Sequence, residues 1–177
     1  MDRYGTVGAV IAAAGSSSRM GGRDKLAEPL DGIPVILRTL AAVEAVPEIR
    51  EIVVVTREDL LVEVSQICKD FALDKVRKVL VGGAERIHSV QAGLREVDPE
   101  AELIAIHDGA RPLVTSEVIE EAVAAAARSG AAAPAIPVID TIKRWEDGLA
   151  VETVDRSTLR AVQTPQVFEA GLIRAAT

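Results

Sequence analysis

The sequence predicts an α/β sandwich with a mostly parallel sheet, because short apolar runs alternate with segments of helical periodicity along most of the chain. The strand-like runs occupy residues 7–14, 51–56, 76–81, 102–107 and 131–138. Helical spacing of apolar residues fills the gaps between them, at residues 34–46, 57–71, 86–97 and 116–128. Repeated strand–helix–strand units make right-handed crossovers, which place helices on both faces of a parallel sheet. We therefore expect three layers, with ligands bound beyond the carboxyl ends of the strands.

The alternation breaks after Val138, where a hairpin is predicted. Residues 140–145 and 149–154 flank the turn Glu146-Asp147-Gly148. This segment has few core residues of its own, and an isolated hairpin is marginally stable in water. We therefore expect residues of about 139–157 to form an arm that reaches onto another subunit, although a mobile surface excursion would have a similar pattern.

Composition indicates a single domain covering residues 1–177 and excludes several classes of partner. The formal net charge is −7 and only 2% of residues are aromatic, which disfavours nucleic acid as a partner. No apolar run approaches the length of a membrane span, and no secretory signal is recognisable at the first residues. The lone Cys68 is expected on the apolar face of a helix, packed into the hydrophobic core. Because a single cysteine gives no disulfide framework, a cytoplasmic setting is expected.

The first strand leads into a glycine- and serine-rich basic loop. Residues 15–25 contain Arg19, Arg23 and Lys25 with one acid, a local charge of +2 in an acidic chain. Backbone N–H groups of small residues approach phosphate oxygens closely, and the cations neutralise a polyphosphate. The loop therefore predicts a nucleoside triphosphate site.

This basic loop fits neither of two common nucleotide-binding patterns. Lys25 lies between Asp24 and Leu26, so the hydroxyl that follows the lysine of a P-loop is missing. Gly15 is followed by three serines, which breaks the dinucleotide-binding fingerprint. A different phosphate-binding loop is required.

Two further loops are expected at the same edge of the sheet. Gly82-Gly83 precedes a helix whose free N–H groups suit a base or a phosphate. Asp108 and Arg111 follow the fourth strand, where a carboxylate can hold a hydroxyl or magnesium and a guanidinium suits a phosphate. A mutual ion pair between these two residues is the structural alternative. His107 is expected to be a hydrogen-bonded residue at the strand end.

Six ordered motifs resemble the methylerythritol phosphate cytidylyltransferase family of the nonmevalonate isoprenoid pathway. They read AAAGSSSRMGGRDK, GGAERIHSVQAGL, IHDGARPLV, PVIDTIKR, TVDR and TPQVF, and the similarity runs from about Val7 to the end. The resemblance implies a nucleotide-diphospho-sugar-transferase-like, Rossmann-like three-layer sandwich with a β-hairpin arm. It also implies transfer of a cytidylyl group from CTP to 2-C-methyl-D-erythritol 4-phosphate with magnesium as cofactor, in a homodimer whose arms complete the substrate sites.

The resemblance also assigns roles to residues of this chain. Arg19 and Lys25 would stabilise the transition state at the CTP phosphates, and Arg156 would position the attacking phosphate. Backbone contacts to the nucleotide would come from Ala12, Ala13, Ala14 and Gly15. Cytosine would be selected by Gly83 and Ser89. The ribose, a magnesium ion and the acceptor would be contacted by Asp108 and Arg111, and the acceptor would be gripped by Thr141 and Arg156.

The sequence departs from the family pattern in two places. Ala84 stands where the family often has an acid, so a side-chain role is lost there. The family also continues beyond the position of Thr177 with a strand that carries another acceptor-positioning lysine. We therefore expect a C-terminally truncated enzyme that binds CTP but turns over slowly.

Two alternative functions stay open from sequence alone. The chain could be a relative of that family that activates another polyol phosphate such as ribitol 5-phosphate, although the HDGARP loop favours methylerythritol phosphate. The chain could also be a non-catalytic nucleotide-binding or dimerisation module, but a merely structural domain has no use for the clustered cations Arg19 and Lys25.

Replacing Arg19 or Lys25 by alanine is expected to remove most of the turnover and to leave the fold intact. Both cations act on charge that develops in the transition state, so kcat should fall more than KM rises. Steady-state kinetics of the two variants test this, and near-normal turnover in either one contradicts the assignment of the phosphate loop.

Overall fold

A computed structural model describes residues 5–15 and 24–177. The strands and helices follow one another in the order β1 (Val7–Ala13), β2 (Pro29–Leu30), β3 (Ile33–Pro34), α1 (Val35–Glu44), β4 (Ile49–Thr56), α2 (Leu61–Asp70), β5 (Val76–Val81), α3 (Arg86–Glu96), β6 (Leu103–Asp108), α4 (Ser116–Ser129), β7 (Ala131–Ala132), β8 (Ala135–Pro137), β9 (Lys143–Glu146), β10 (Leu149–Thr153), β11 (Arg160–Val162), β12 (Gln166–Glu169) and α5 (Ala170–Ala176).

The middle layer is a six-stranded sheet in the order β5-β4-β1-β6-β12-β7. Strands β5, β4, β1 and β6 pair in parallel, and β12 runs antiparallel to both β6 and β7. Strands β1, β4 and β6 are buried over most of their length, as expected for parallel strands covered on both faces. The predicted α/β class with a mostly parallel sheet is confirmed.

Alternating residues of β1 separate two hydrophobic cores. Ala9 and Ile11 face helices α1, α2 and α4, whereas Val10 faces α3 and α5. Ile11 and Val10 are both fully buried. Each buried Val or Ile contributes about 1.5–3 kcal/mol relative to an exposed side chain. These two cores give the predicted three layers.

Helix α4 shows how local sequence sets the ends of an element. The Thr115 side chain accepts a hydrogen bond from the Val118 N–H and caps the first turn. Gly130 ends the helix at φ +80°, a left-handed conformation in which glycine carries no steric penalty.

The predicted arm is present as two small antiparallel sheets beyond the main sheet. Strands β9 and β10 form a hairpin, and β8 pairs with β11. All side chains of β9 and β10 are exposed, including Trp145, Leu149 and Val151. The arm therefore has no core of its own within the described chain.

Several predicted boundaries were wrong. Residues 131–138 were expected to form one strand, but the chain divides into β7 and β8 because Pro134 has no N–H to donate. The carbonyl of Pro134 instead accepts a hydrogen bond from the Gln163 N–H. The helix expected at 57–71 does not include Arg57, whose backbone is extended, and a 3-10 turn at Glu58–Leu60 precedes α2. Strands β2, β3, β11 and β12 and helix α5 were not predicted.

Cys68 lies in the core, as the sequence predicted, and burial raises the pKa of its thiol to about 11. Within residues 5–15 and 24–177, no helix has both the length and the hydropathy that crossing a membrane requires.

Gly93 permits a close approach between α3 and the sheet, and we expect Gly93→Ala to destabilise the fold. A Cβ at Gly93 would lie 2.4 Å from Cγ1 of Val10 and 3.1 Å from Cγ2 of Val55. Overpacking outweighs the better helix propensity of alanine, so the free energy of unfolding should fall by about 1–2 kcal/mol. Denaturant unfolding measures the change.

The control is the same substitution in a Val10→Ala background, where the two methyl groups of Val10 are gone and the longer contact with Cγ2 of Val55 remains. There Gly93→Ala should be neutral or stabilising. An equal loss of stability in both backgrounds would show that the contact with Val10 is not the cause.

Candidate active site

A cleft of about 900 Å³ opens at the carboxyl edge of the parallel sheet. Its described walls come from residues 12–15 at the end of β1, 57–58 after β4, 81–86 at the end of β5, and 108, 110 and 111 at the end of β6, with Lys25 beside them. Ala12 is the register partner of both Val55 in β4 and Asp108 in β6, so these loops leave the sheet at one level. The structure therefore brings Gly15 and Lys25, the ends of the first predicted loop, together with the other two predicted loops.

The described wall of the cleft is more basic than the protein as a whole. Its charged residues are Lys25, Arg57, Glu58, Glu85, Arg86, Asp108 and Arg111. Four cations and three acids give +1, against −7 for the whole chain. Such a local excess of positive charge attracts a small polyanion to the cleft, while the rest of the acidic surface repels polyanions.

Two guanidinium groups bracket the carboxylate of Asp108. Arg86 donates to Oδ1 from Nη2 at 3.1 Å and from Nε at 3.3 Å, and Arg111 donates from Nε to Oδ2 at 3.1 Å. Arg111 also donates to the side-chain oxygen of Gln163. The ion pair that was the structural alternative for Asp108 and Arg111 is thus present, and both residues still line the cleft. Sequence reasoning missed Arg86.

Gly82 and Gly83 bring the chain close to its neighbours where β5 ends. A Cβ at Gly82 would lie 2.5 Å from Cβ of Ala14 and 2.5 Å from Oγ of Ser89. A Cβ at Gly83 would lie 2.4 Å from Cβ of His88. Only glycine fits both positions without displacing these groups. Because glycine has no side chain, the backbone groups of this turn are open to the cleft.

Helix α3 follows this glycine pair and points its first turn at the cleft. The first N–H groups of a helix have no intrahelical partners, and among the described residues no side chain of the N-cap residue Glu85 caps those that begin at Arg86. These groups and the helix dipole favour an anionic or hydrogen-bond-accepting ligand. Ser89 is buried, and its hydroxyl donates to the Glu85 carbonyl at 3.3 Å.

Lys25 projects from a tight turn beside the cleft. The Asp24 carbonyl accepts hydrogen bonds from the N–H groups of Ala27 and Glu28, at 3.2 and 3.0 Å. Arg57, at the end of β4, pairs with both Asp24 and Asp59. The hydrogen bonds to Asp59 and Asp24 raise the pKa of the Arg57 guanidinium further above its ordinary value. Arg57 was not predicted as a site residue, although an arginine directly after a buried strand is a signal.

Some predicted site residues lie away from this cleft or outside the described residues. Arg19 falls in 16–23, outside the part of the chain that the structure describes. Thr141 and Arg156 are exposed on the arm and do not line the cleft of their own chain. Arg156 donates to the Ile139 carbonyl, which ties it to the base of the hairpin.

Asp108 is the candidate metal ligand in the cleft. Among the described residues, no group of three His, Cys, Asp or Glu side chains could hold a metal ion. Magnesium is often bound through only one or two carboxylates together with substrate phosphates. The carboxylate of Asp108 fits that kind of site, in which a nucleotide supplies most of the ligands.

His107 lies beneath the cleft as a buried residue at the end of β6, as the sequence predicted. Its Nε2 lies 3.3 Å from the Arg111 carbonyl oxygen, and its Nδ1 is buried with no hydrogen-bond partner among the described residues. Burial lowers the pKa of the imidazole, so the neutral ring is favoured.

The chain has clear relatives. A family model for 2-C-methyl-D-erythritol 4-phosphate cytidylyltransferase matches residues 7–177. The chain is 44% identical over 168 residues to the 2-C-methyl-D-erythritol 4-phosphate cytidylyltransferase of Bacillus velezensis, and the match covers 94% of this chain and 72% of that protein.

Solved structures of related proteins have the same fold. The crystal structure of 4-diphosphocytidyl-2C-methyl-D-erythritol synthase from Anaerococcus prevotii superposes with a TM-score of 0.85 at 32% identity, covering 98% of this chain and 74% of that one. The 2-C-methyl-D-erythritol 4-phosphate cytidylyltransferase of Thermus thermophilus gives a TM-score of 0.73 at 31% identity, covering 97% and 74%.

Neutral His107 makes stability depend on pH. The unfolded chain binds a proton at about pH 6.5, whereas the folded chain binds it only at lower pH. Between these two pKa values the unfolded state holds more protons, so the free energy of unfolding falls as the pH decreases below about 6.5. Urea unfolding at pH 7.5 and 5.5 should show a larger loss in wild type than in His107→Gln. Equal losses would mean that His107 does not carry this dependence.

Proposed function

The chain belongs to the 2-C-methyl-D-erythritol 4-phosphate cytidylyltransferase family, and we propose that it transfers the cytidylyl group of CTP to 2-C-methyl-D-erythritol 4-phosphate. The products are 4-diphosphocytidyl-2-C-methyl-D-erythritol and pyrophosphate. The observation that carries this proposal is the cleft in which Lys25, the start of α3 and the Asp108–Arg111 loop meet.

The nucleotide occupies the cleft at the ends of β1, β5 and β6. Backbone groups of Ala12, Ala13, Ala14 and Gly15 lie along the phosphates, with Lys25 and Arg19 as their counter-charges. Gly83 and Ser89, where the chain approaches its neighbours closely, read the small edge of cytosine. Asp108 accepts hydrogen bonds from the ribose hydroxyls. These hydrogen bonds replace one of its contacts with Arg86 or Arg111.

The reaction is an in-line attack of a phosphate oxygen of the acceptor on the α-phosphorus of CTP. The bond from that phosphorus to the bridging oxygen breaks, and the electron pair leaves with pyrophosphate. Two unit charges about 4 Å apart repel by about 4 kcal/mol at an effective dielectric near 20, and both reactants are polyanions. Catalysis therefore rests on cations and positioning, and no protein nucleophile is required.

Asp108 would also hold magnesium together with the phosphates of CTP. The ion supplies charge neutralisation at the phosphates when it is bound. Lys25 and Arg19 supply positive charge from the protein side of the same phosphates. Among the three acids of the described wall, Glu58, Glu85 and Asp108, we assign the ion to Asp108, which lies at the end of β6.

The acceptor site is completed by the arm of a second subunit in a homodimer. Thr141 and Arg156 lie on the arm and away from their own cleft, so they would serve the neighbouring one. Exposed Ile139, Trp145 and Leu149 provide apolar surface for the contact between subunits. Arg156 would position the attacking phosphate of the acceptor.

Pyrophosphate release with purified protein tests this function. CTP with 2-C-methyl-D-erythritol 4-phosphate should react much faster than CTP with ribitol 5-phosphate, and ATP or GTP should react poorly because a purine is too large for the glycine-lined turn. Calorimetry should show tighter binding of CTP than of either purine nucleotide.

Preference for ribitol 5-phosphate would identify the other polyol as the acceptor. Nucleotide binding without pyrophosphate release from any acceptor would identify a non-catalytic module. Equal affinity for all nucleotides would contradict cytosine selection.

Mixing two inactive variants tests the crossing arm. In a mixed dimer of Arg19→Ala and Arg156→Ala subunits, one of the two clefts combines an intact loop with an intact arm. Random mixing should then restore about one quarter of the wild-type activity.

A mixture of Arg19→Ala and Lys25→Ala subunits is the control, since both defects lie in the same cleft and no intact site forms. Failure of the first pair to recover activity, together with a monomeric mass, would rule out the crossing arm.

A further inference from the structure

Arg57 lies at the junction between the sheet and the turn that carries Lys25. It follows the last residue of β4 and lines the cleft. Its Nε donates to Oδ1 of Asp59 at 3.0 Å and its Nη2 to Oδ2 of Asp59 at 3.1 Å, while Nη2 also donates to Oδ2 of Asp24. With two carboxylates on one guanidinium, the charge of Arg57 is already balanced by the protein.

The second carboxylate oxygen of Asp24 holds the turn itself. Its Oδ1 accepts from the Leu26 N–H at 2.9 Å, and the Asp24 carbonyl accepts from Ala27 and Glu28. Leu26 is only 2% exposed, and its carbonyl accepts from the Ile36 N–H at 3.0 Å. The turn is thus attached to α1 on one side and to β4, through Arg57, on the other.

We propose that Arg57 is a positioning residue, which acts through Asp24 to fix the turn from which Lys25 reaches the phosphates of the nucleotide. This inference rests on the proposed function. Lys25 is the residue between the two anchored ones, Asp24 and Leu26, so its backbone position follows from theirs. The ion pair connects segments 33 residues apart in the chain.

The surroundings make this ion pair stronger than an ordinary surface pair. The side chains of Arg57 and Asp24 are 24% and 19% exposed, so water and salt screen their attraction less than they screen an exposed pair. A lysine side chain already has many rotamers. A fixed backbone prevents movement of the turn from adding to the range of positions that the ammonium group can take. Displacement of a charge by about 1 Å can cost about 100-fold in rate.

A double-mutant cycle separates positioning from direct action. Arg57→Ala alone should lower kcat by about 10- to 100-fold with a smaller change in KM for the acceptor. In a Lys25→Ala background the same substitution should change kcat by less than about 3-fold, because the group that Arg57 positions is gone. Asp24→Asn, which keeps the acceptor for Leu26 but loses the charge, should behave like Arg57→Ala.

Asp59→Ala is the matched control. It removes the other partner of Arg57 and leaves the pair with Asp24, so kcat should stay within about 2-fold of wild type. Amide hydrogen exchange gives a readout that needs no substrate: Arg57→Ala should speed exchange at Leu26, Ala27 and Glu28, and Asp59→Ala should not. Thermal melting of each variant confirms that it is folded.

Equal effects of Arg57→Ala with and without Lys25 would overturn the proposal, as would unchanged hydrogen exchange in the turn. If wild-type protein shows no turnover with any polyol phosphate, the proposed function fails, and the role of Arg57 is then decided by hydrogen exchange and by the affinity for inorganic triphosphate. In that case Arg57→Ala should weaken triphosphate binding only when Lys25 is present.

Discussion

The parallel pairing of β1 with both β4 and β6 is the constraint on which the candidate site depends. One register places Ala12 opposite Val55 and Asp108, and the next residue, Ala13, opposite Thr56. Because parallel strands end at the same edge, every loop that carries site chemistry starts from this level. The buried side chains of β1, which contact helices on both faces, hold that register in place.

Electrostatics then makes this edge suitable for polyanions. The chain is acidic overall, yet the described wall of the cleft is slightly basic, and each of the three arginines in that wall forms an ion pair with a carboxylate. Arg86 and Arg111 share Asp108, while Arg57 is divided between Asp24 and Asp59. These pairs keep the side chains ordered in the free protein, and an arginine that gives up its contact with Asp108 can pair with a phosphate of the ligand.

Sequence patterns predicted the layers and the loops because both depend on local periodicity. Residues 7–14, 76–81 and 102–107 were recognisable as strands, and the positions of Gly82-Gly83 and Asp108 followed from where the last two of these strands end. Strand β12 was missed because its four residues are too few to show a period, and its place beside β6 is set by pairing with residues 60 to 66 positions earlier in the chain. Arg57 and Arg86 were missed for a related reason: the acids that tie them to the cleft, Asp24 and Asp108, are 33 and 22 residues away.

A titration of the labelled protein with CTP, followed by amide chemical shifts, tests most directly whether the carboxyl edge of the sheet is the nucleotide site. The largest changes should lie at Ala13–Gly15, Gly82–Gly83 and Asp108–Arg111, with small changes along the arm. A second cavity, of about 360 Å³, lies beside Gln91, Leu94 and Arg174 at the far end of α3. Changes centred on that cavity, with the three loops unaffected, would contradict the account.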